Sequence, residues 1–254
     1  MFLRQIIRGS QMRALGKGVA QTAGAAQPPH AIVRACMTAA AKPPVLNAAE
    51  EEYPPTYTQS HIAQTQHLAD QRQGLGIVQQ LLGSEKTVRT AFYWPFGKRK
   101  IAQAAETLIY GALAGPGELP LLPLIFRWKQ IPDHIAHKAT EADGRGLTVV
   151  QYLGSRLNLG NGSAANPGIL FVLLDDLTAR TSLLAAPEGM TTFTANFELD
   201  YKRQIEPERF LLMDAWVTRV EGRKVFIEAR AADAESGEAI VEGRALFVAV
   251  PVKK

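Results

Sequence analysis

The stretch NPGILFVLLDDLTARTS, residues 166–182, opens on a Pro-Gly pair, runs through six apolar residues and then sets Asp175 beside Asp176. It is too long for an ordinary strand, and its Asp-Asp-x-Thr-Ala-Arg ending favours helix. From Ile169 to Leu174 it is apolar on every side, and a helix that is hydrophobic all round is a buried one. Two carboxylates at the end of such a run have two readings. Either they mark a helix emerging into solvent, or one of them does chemistry in a cleft.

The sequence on either side tells how that helix is covered. In MTTFTANFELDY, Phe193, Ala195, Phe197, Leu199 and Tyr201 alternate with Thr192, Thr194, Asn196, Glu198 and Asp200, a period of two that indicates a strand with one covered face. FLLMDAWVTRV and KVFIEARAAD read as the next two strands, with Gly222 suited to a tight hairpin between them. AIVEGRALFVAV is the fourth, reached through Ser236-Gly237, and LTVVQYLGSRLNL (147–159) supplies a strand ahead of the helix. The order is strand, buried helix, then four antiparallel strands joined by short turns. An α+β domain in which a curved antiparallel sheet wraps around one central helix accommodates that order.

The rest of the chain is less regular. Residues 1–49 carry Arg4, Arg8, Arg13, Lys17, Arg34 and Lys42 and no acid before Glu50. A basic, acid-free and amphipathic start is the pattern of a mitochondrial targeting segment, with a cytoplasmic protein bearing a basic tail as the alternative. Residues 1–59 are expected to comprise that segment and a linker, 60–105 a short helical extension, and 106–254 the sheet-and-helix domain. FYWPFGKRK (92–100) reads as a packed turn with solvated lysines. The formal net charge of +4 is spread thinly, which argues against nucleic acid as partner. The one cysteine, Cys36, suits a reducing compartment. The most apolar stretch, LIYGALAGPGELPLLPLIF, is interrupted by Gly, Pro and Glu, and no run reaches the ~20 residues a membrane span needs.

FTANFELDYKRQI and VEGRKVFIEARAADAESGEAIVEGRALFVAV closely resemble the hotdog-fold acyl-CoA thioesterases. The likeness is to the PaaI-like group, and particularly to the mitochondrial thioesterase-superfamily-member-4 type and its fungal relatives. LIYGALAGPGELPLLPLIF looks like the segment ahead of the hotdog core in those fungal proteins, so the resemblance covers roughly residues 106–250. It implies thioester hydrolysis without a cofactor, acyl-CoA as substrate, and a homodimer or dimer of dimers with each active site between subunits. Relatives begin the central helix with His-Gly-Gly and carry an acidic residue seven positions after the second glycine. Counting seven from Gly168 gives Asp175 as the implied nucleophile or general base. Thr194 matches the family's assisting hydroxyl, and a helix-start N–H is the implied oxyanion donor.

This chain departs from the family at the helix start, where it reads Asn166-Pro167-Gly168. Proline has no N–H, so Gly168 is left as the substitute donor and Asn166 as a polar group that holds water. The departure supports an alternative reading, a catalytically impaired hotdog protein that binds acyl-CoA or serves as a structural partner. Lys202, Arg203, Arg223 and Lys224 are the basic residues available to CoA phosphates. The i, i+3 pair His134 and His137 has no third ligand at a sensible spacing and reads as an exposed polar face, so no metal is expected.

Overall fold

The computed structural model describes residues 53–94, 106–160 and 164–252, and the backbone of residues 5–6. The expected targeting segment and linker up to residue 52, with Cys36, lie outside the described residues apart from 5–6. So does the lysine-bearing part of FYWPFGKRK. The described part of the chain begins with helix α1 (Gln59–Gly74) and helix α2 (Gly76–Gly83). Strands β2 (Thr87–Thr90), β3 (Leu124–Trp128) and β4 (Gly146–Leu153) follow, then helix α3 (Pro167–Leu183). Strands β5 (Met190–Tyr201), β6 (Arg209–Glu221), β7 (Lys224–Asp233) and β8 (Ala239–Pro251) complete it, and residues Gln5–Ile6 form a short β1.

All the strand pairings are antiparallel, in the order β1-β5-β8-β7-β6-β4-β3-β2. Helix α3 packs across β4 through β8. This is the hotdog fold: a curved antiparallel sheet around one central helix. The helix and the four strands after it fall where hydrophobic periodicity places them. Beyond the expected elements, β2 and β3 extend the sheet from the β4 side, so the 60–105 segment supplies a sheet strand as well as two helices.

The sheet has two dissimilar faces. Met213, Ala215, Ala229, Ala231, Ala245 and Phe247 point inward and pack with Leu170, Leu173, Leu174 and Leu177 of α3. On the outer face of β3, β4 and β6, Phe126, Val150, Tyr152 and Leu212 form a second core with Leu68, Val78 and Leu81 of α1 and α2. The outer face of β5, β7 and β8 instead carries Glu198, Asp200, Glu228, Arg230, Glu242 and Arg244, which line one open cleft.

In β5 the expected strict alternation breaks. A bulge at Ala195 shifts the register against β8 between Thr194 and Asn196. An extra residue in one strand reverses which face its neighbours occupy. Phe197 and Leu199 stay inward and buried, while Phe193, expected on the covered face, is 53% exposed. Thr194 pairs with inward-facing Phe247, which puts it on the helix side.

Candidate active site

The start of α3 is a closed cap. Asn166 is the N-cap, Pro167 holds the first helical position, where its missing N–H costs nothing, and Asn166 Oδ1 accepts a 2.9 Å hydrogen bond from Gly168 N–H. The next donor, Ile169 N–H, bonds the Asn166 carbonyl. Tyr201 on β5 donates its hydroxyl to the Pro167 carbonyl at 2.8 Å, tying the helix start to the sheet. Gly168 N–H, the expected oxyanion donor, is therefore engaged within the chain. The Asn166 side-chain amide, exposed, presents its N–H groups instead.

Two turns further on stand the paired carboxylates. Adjacent helical residues point about 100° apart, and here the divergence gives the two carboxylates different partners. Asp176 receives a 2.7 Å hydrogen bond from Nε of Arg180, one turn away. That guanidinium is 2% exposed and also donates to the carbonyls of Phe92 and Trp94 and to the Tyr110 hydroxyl. Burial alone would lower the pKa of Arg180, but Asp176 and Tyr110 outweigh it and hold the guanidinium above the ordinary arginine value. Asp176 thus anchors the chain around residues 92–94 and 110 to the helix.

Asp175 lies half-buried on the other side, within 3.1 Å of the Thr194 hydroxyl, which donates to its Oδ1. Burial pushes the Asp175 carboxyl up from the ordinary aspartate value. The Thr194 hydrogen bond pulls it down and the charge of Asp176 adds to the rise. A carboxylate raised by desolvation, yet open to an exposed hydroxyl, is a base able to take a proton from water. The bulge at Ala195 makes this pair possible, because under strict alternation Thr194 would face away from the helix.

The basic residues do not converge. Lys202 and Arg203 follow Tyr201 at the helix-start end of the sheet; Lys202 pairs with Asp200 and Glu242, and Arg203 sits 3.6 Å from Glu238. Arg223 and Lys224 form the exposed β6–β7 turn at the opposite end, level with Phe193 and Val248. Tyr201 and the Arg180 network escape sequence reasoning. The tyrosine reads only as one more inward residue of β5, and the arginine's carbonyl acceptors are 86–88 residues away in the chain.

His134 corrects the expected exposed histidine face. His137 is exposed, but the His134 side chain is 9% exposed and its Nε2 lies 2.9 Å from Oδ1 of the fully buried Asp214. The carboxylate makes burial of the imidazole tolerable, since it supplies a charged partner inside the protein.

Residues 162–240, spanning α3 through the start of β8, match the family model of the thioesterase superfamily. Over that stretch the chain is similar to the thioesterase superfamily. An uncharacterized mitochondrial protein of Candida albicans is 31% identical over 120 residues, and the chain spans 46% of that relative's length. Among solved structures, a thioesterase family protein from Silicibacter pomeroyi is similar at 19% identity, over 42% of this chain and 78% of that one, with a TM-score of 0.38. A Streptococcus mutans protein bound to acetyl-CoA is 14% identical over 43% and 85% of the two chains, with a TM-score of 0.39. The E. coli PaaI protein is 15% identical over 42% and 75%, with a TM-score of 0.38.

Proposed function

We propose that this domain hydrolyses acyl-CoA thioesters, with Asp175 as its working carboxylate. The observation that carries the reading is the surroundings of Asp175: half-buried, raised by desolvation and held by Thr194 alone, while its neighbour is consumed by Arg180. Asp175 takes a proton from water, the hydroxide adds to the thioester carbonyl, and the tetrahedral intermediate expels the CoA thiolate, which is then protonated. Thr194 orients the carboxylate and the water. The acetyl-CoA bound to the S. mutans protein and the resemblance to PaaI-like, thioesterase-superfamily-member-4-type enzymes favour a CoA thioester as substrate.

Because Gly168 N–H is taken by the cap, the donor for the developing oxyanion is the Asn166 side-chain amide. Seven residues of helix separate Gly168 from Asp175, about 10 Å at 1.5 Å per residue. The family resemblance implies an active site between subunits, and donor and carboxylate are taken to come from two copies of the chain. The outer edge of β5 from Met190 to Phe197 has no strand partner among the described residues and carries the exposed Phe193, which suits it to a homodimer seam. Residues 106–254 are taken as the catalytic unit, Lys202, Arg203, Arg223 and Lys224 as secondary phosphate contacts, and the basic residues 1–49 as a mitochondrial address. The similarity to a mitochondrial C. albicans protein supports the last of these.

The closed cap also favours a second reading, a protein that binds acyl-CoA without turning it over. Incubating the purified chain with a panel of acyl-CoAs separates the two readings. Hydrolysis that falls about 10²–10³-fold in Asn166→Ala supports the amide donor. Hydrolysis that rises in that variant assigns the role to the freed Gly168 N–H. Saturable acyl-CoA binding with no hydrolysis establishes the second reading and rejects the first.

A further inference from the structure

On the sheet face opposite Asp175, a cavity of about 580 Å³ lies between the start of α2, the 134–137 segment and the β7–β8 turn. Its volume falls within the ~300–1,000 Å³ typical of small-molecule sites. Its walls bring together Arg230, His134 and His137. Arg230 is 8% exposed, and its one hydrogen bond among the described residues runs from Nη2 to the Gly237 carbonyl at 2.6 Å. Its buried Nε has no partner.

The carboxylates beside Arg230 are committed elsewhere. Cross-strand Glu242 is held by Lys138 and Lys202, and Oδ1 of cross-strand Asp214 is held by His134 and Thr148, while its buried Oδ2 accepts no hydrogen bond and lies beyond ion-pair distance of Arg230. A buried guanidinium that forms no ion pair among the described residues is costly, and an anion brought to it is correspondingly stabilised. His134, whose buried Nδ1 is also unpartnered, and exposed His137 line the same cavity. Glu235, exposed, is the one carboxylate among the lining residues.

The α2 terminus completes the site. Gly76 and Ile77 line the cavity, and Leu75, the N-cap, offers no side chain to the first-turn N–H groups. An uncapped helix start carries partial positive charge and free donors, the arrangement that binds phosphate oxygens. We propose that this cavity is a binding site for a phosphate group, held by Arg230, the α2 N-terminus and His137, and separate from the thioester site on the other face.

The test is calorimetric titration of inorganic phosphate into the full chain in a phosphate-free buffer, with adenosine monophosphate in a second arm to distinguish free phosphate from a phosphomonoester. Saturable binding is expected in at least one arm, weakened about tenfold or more (about 1.4 kcal/mol) by Arg230→Gln. Because Arg230 is buried, a second pair of variants keeps the fold out of the question. A side chain at Gly76 meets nothing within 4 Å, and proline is tolerated at the first helical position. Gly76→Pro, which removes one donor, should weaken binding severalfold, while Gly76→Ala should leave it unchanged. Absence of saturable binding in both arms, or equal affinity in wild type, Arg230→Gln and Gly76→Pro, overturns the proposal.

Discussion

The two sides of helix α3 at Asp175 and Asp176 are adjacent in sequence and opposite in use. The Asp176 side is closed: a buried arginine, two backbone carbonyls and a tyrosine hydroxyl share one network that joins the helix to the chain ahead of the sheet. The Asp175 side is open, with a single hydroxyl across a 3.1 Å hydrogen bond and a carboxyl raised by burial. The contrast teaches that burying a carboxylate costs free energy in either place, and that only one side of the helix recovers the cost through an ion pair. The unrecovered charge is the one positioned for chemistry.

The comparison breaks most visibly if the closed side is opened. Asp176→Ala strips Arg180 of its counter-ion and is expected to cost about 3 kcal/mol in denaturant unfolding, with any activity of the folded fraction retained. Next in size is the geometry of the open side. Deleting Ala195 removes the bulge, turns Thr194 outward and brings Phe193 towards Asp175, so hydrolysis should fall at least as far as in Thr194→Val. That substitution itself should lower the rate by about tenfold or less. Because the hydroxyl pulls the carboxyl down, losing it should also move the acid limb of the pH–rate profile to higher pH.

The smallest effect is on stability. Asp175 has a folded pKa above its unfolded value, so the folded state binds the proton more tightly than the unfolded state does. Stability relative to Asp175→Asn is therefore greatest below the ordinary aspartate range and is lost as pH rises through the folded pKa. Thermal melts across that window should show the asparagine variant gaining slightly on wild type at neutral pH.

Much of this is legible in the sequence. The unbroken apolar run 169–174 announces a buried helix, and period two with Gly222 and Ser236-Gly237 announces the four strands after it. Asp175 is nominated by its place in that helix and by family spacing. What stays hidden depends on contacts distant in sequence. No local pattern tells that Arg180 reaches residues 92 and 94, or that His134 reaches Asp214, 80 residues on. The bulge at Ala195 is hidden for another reason: an alternating strand gives no sign of an inserted residue, since both registers present apolar and polar residues in turn. The phosphate cavity likewise arises from three segments that only the fold brings together.

The division of labour between the two carboxylates is tested most directly by the rate of acyl-CoA hydrolysis in Asp175→Asn, measured on protein whose thermal midpoint is recorded alongside. The expected result is a loss of about 10²–10⁴-fold in rate, with a midpoint equal to or above that of wild type. Hydrolysis at the wild-type rate from the folded variant would contradict the account.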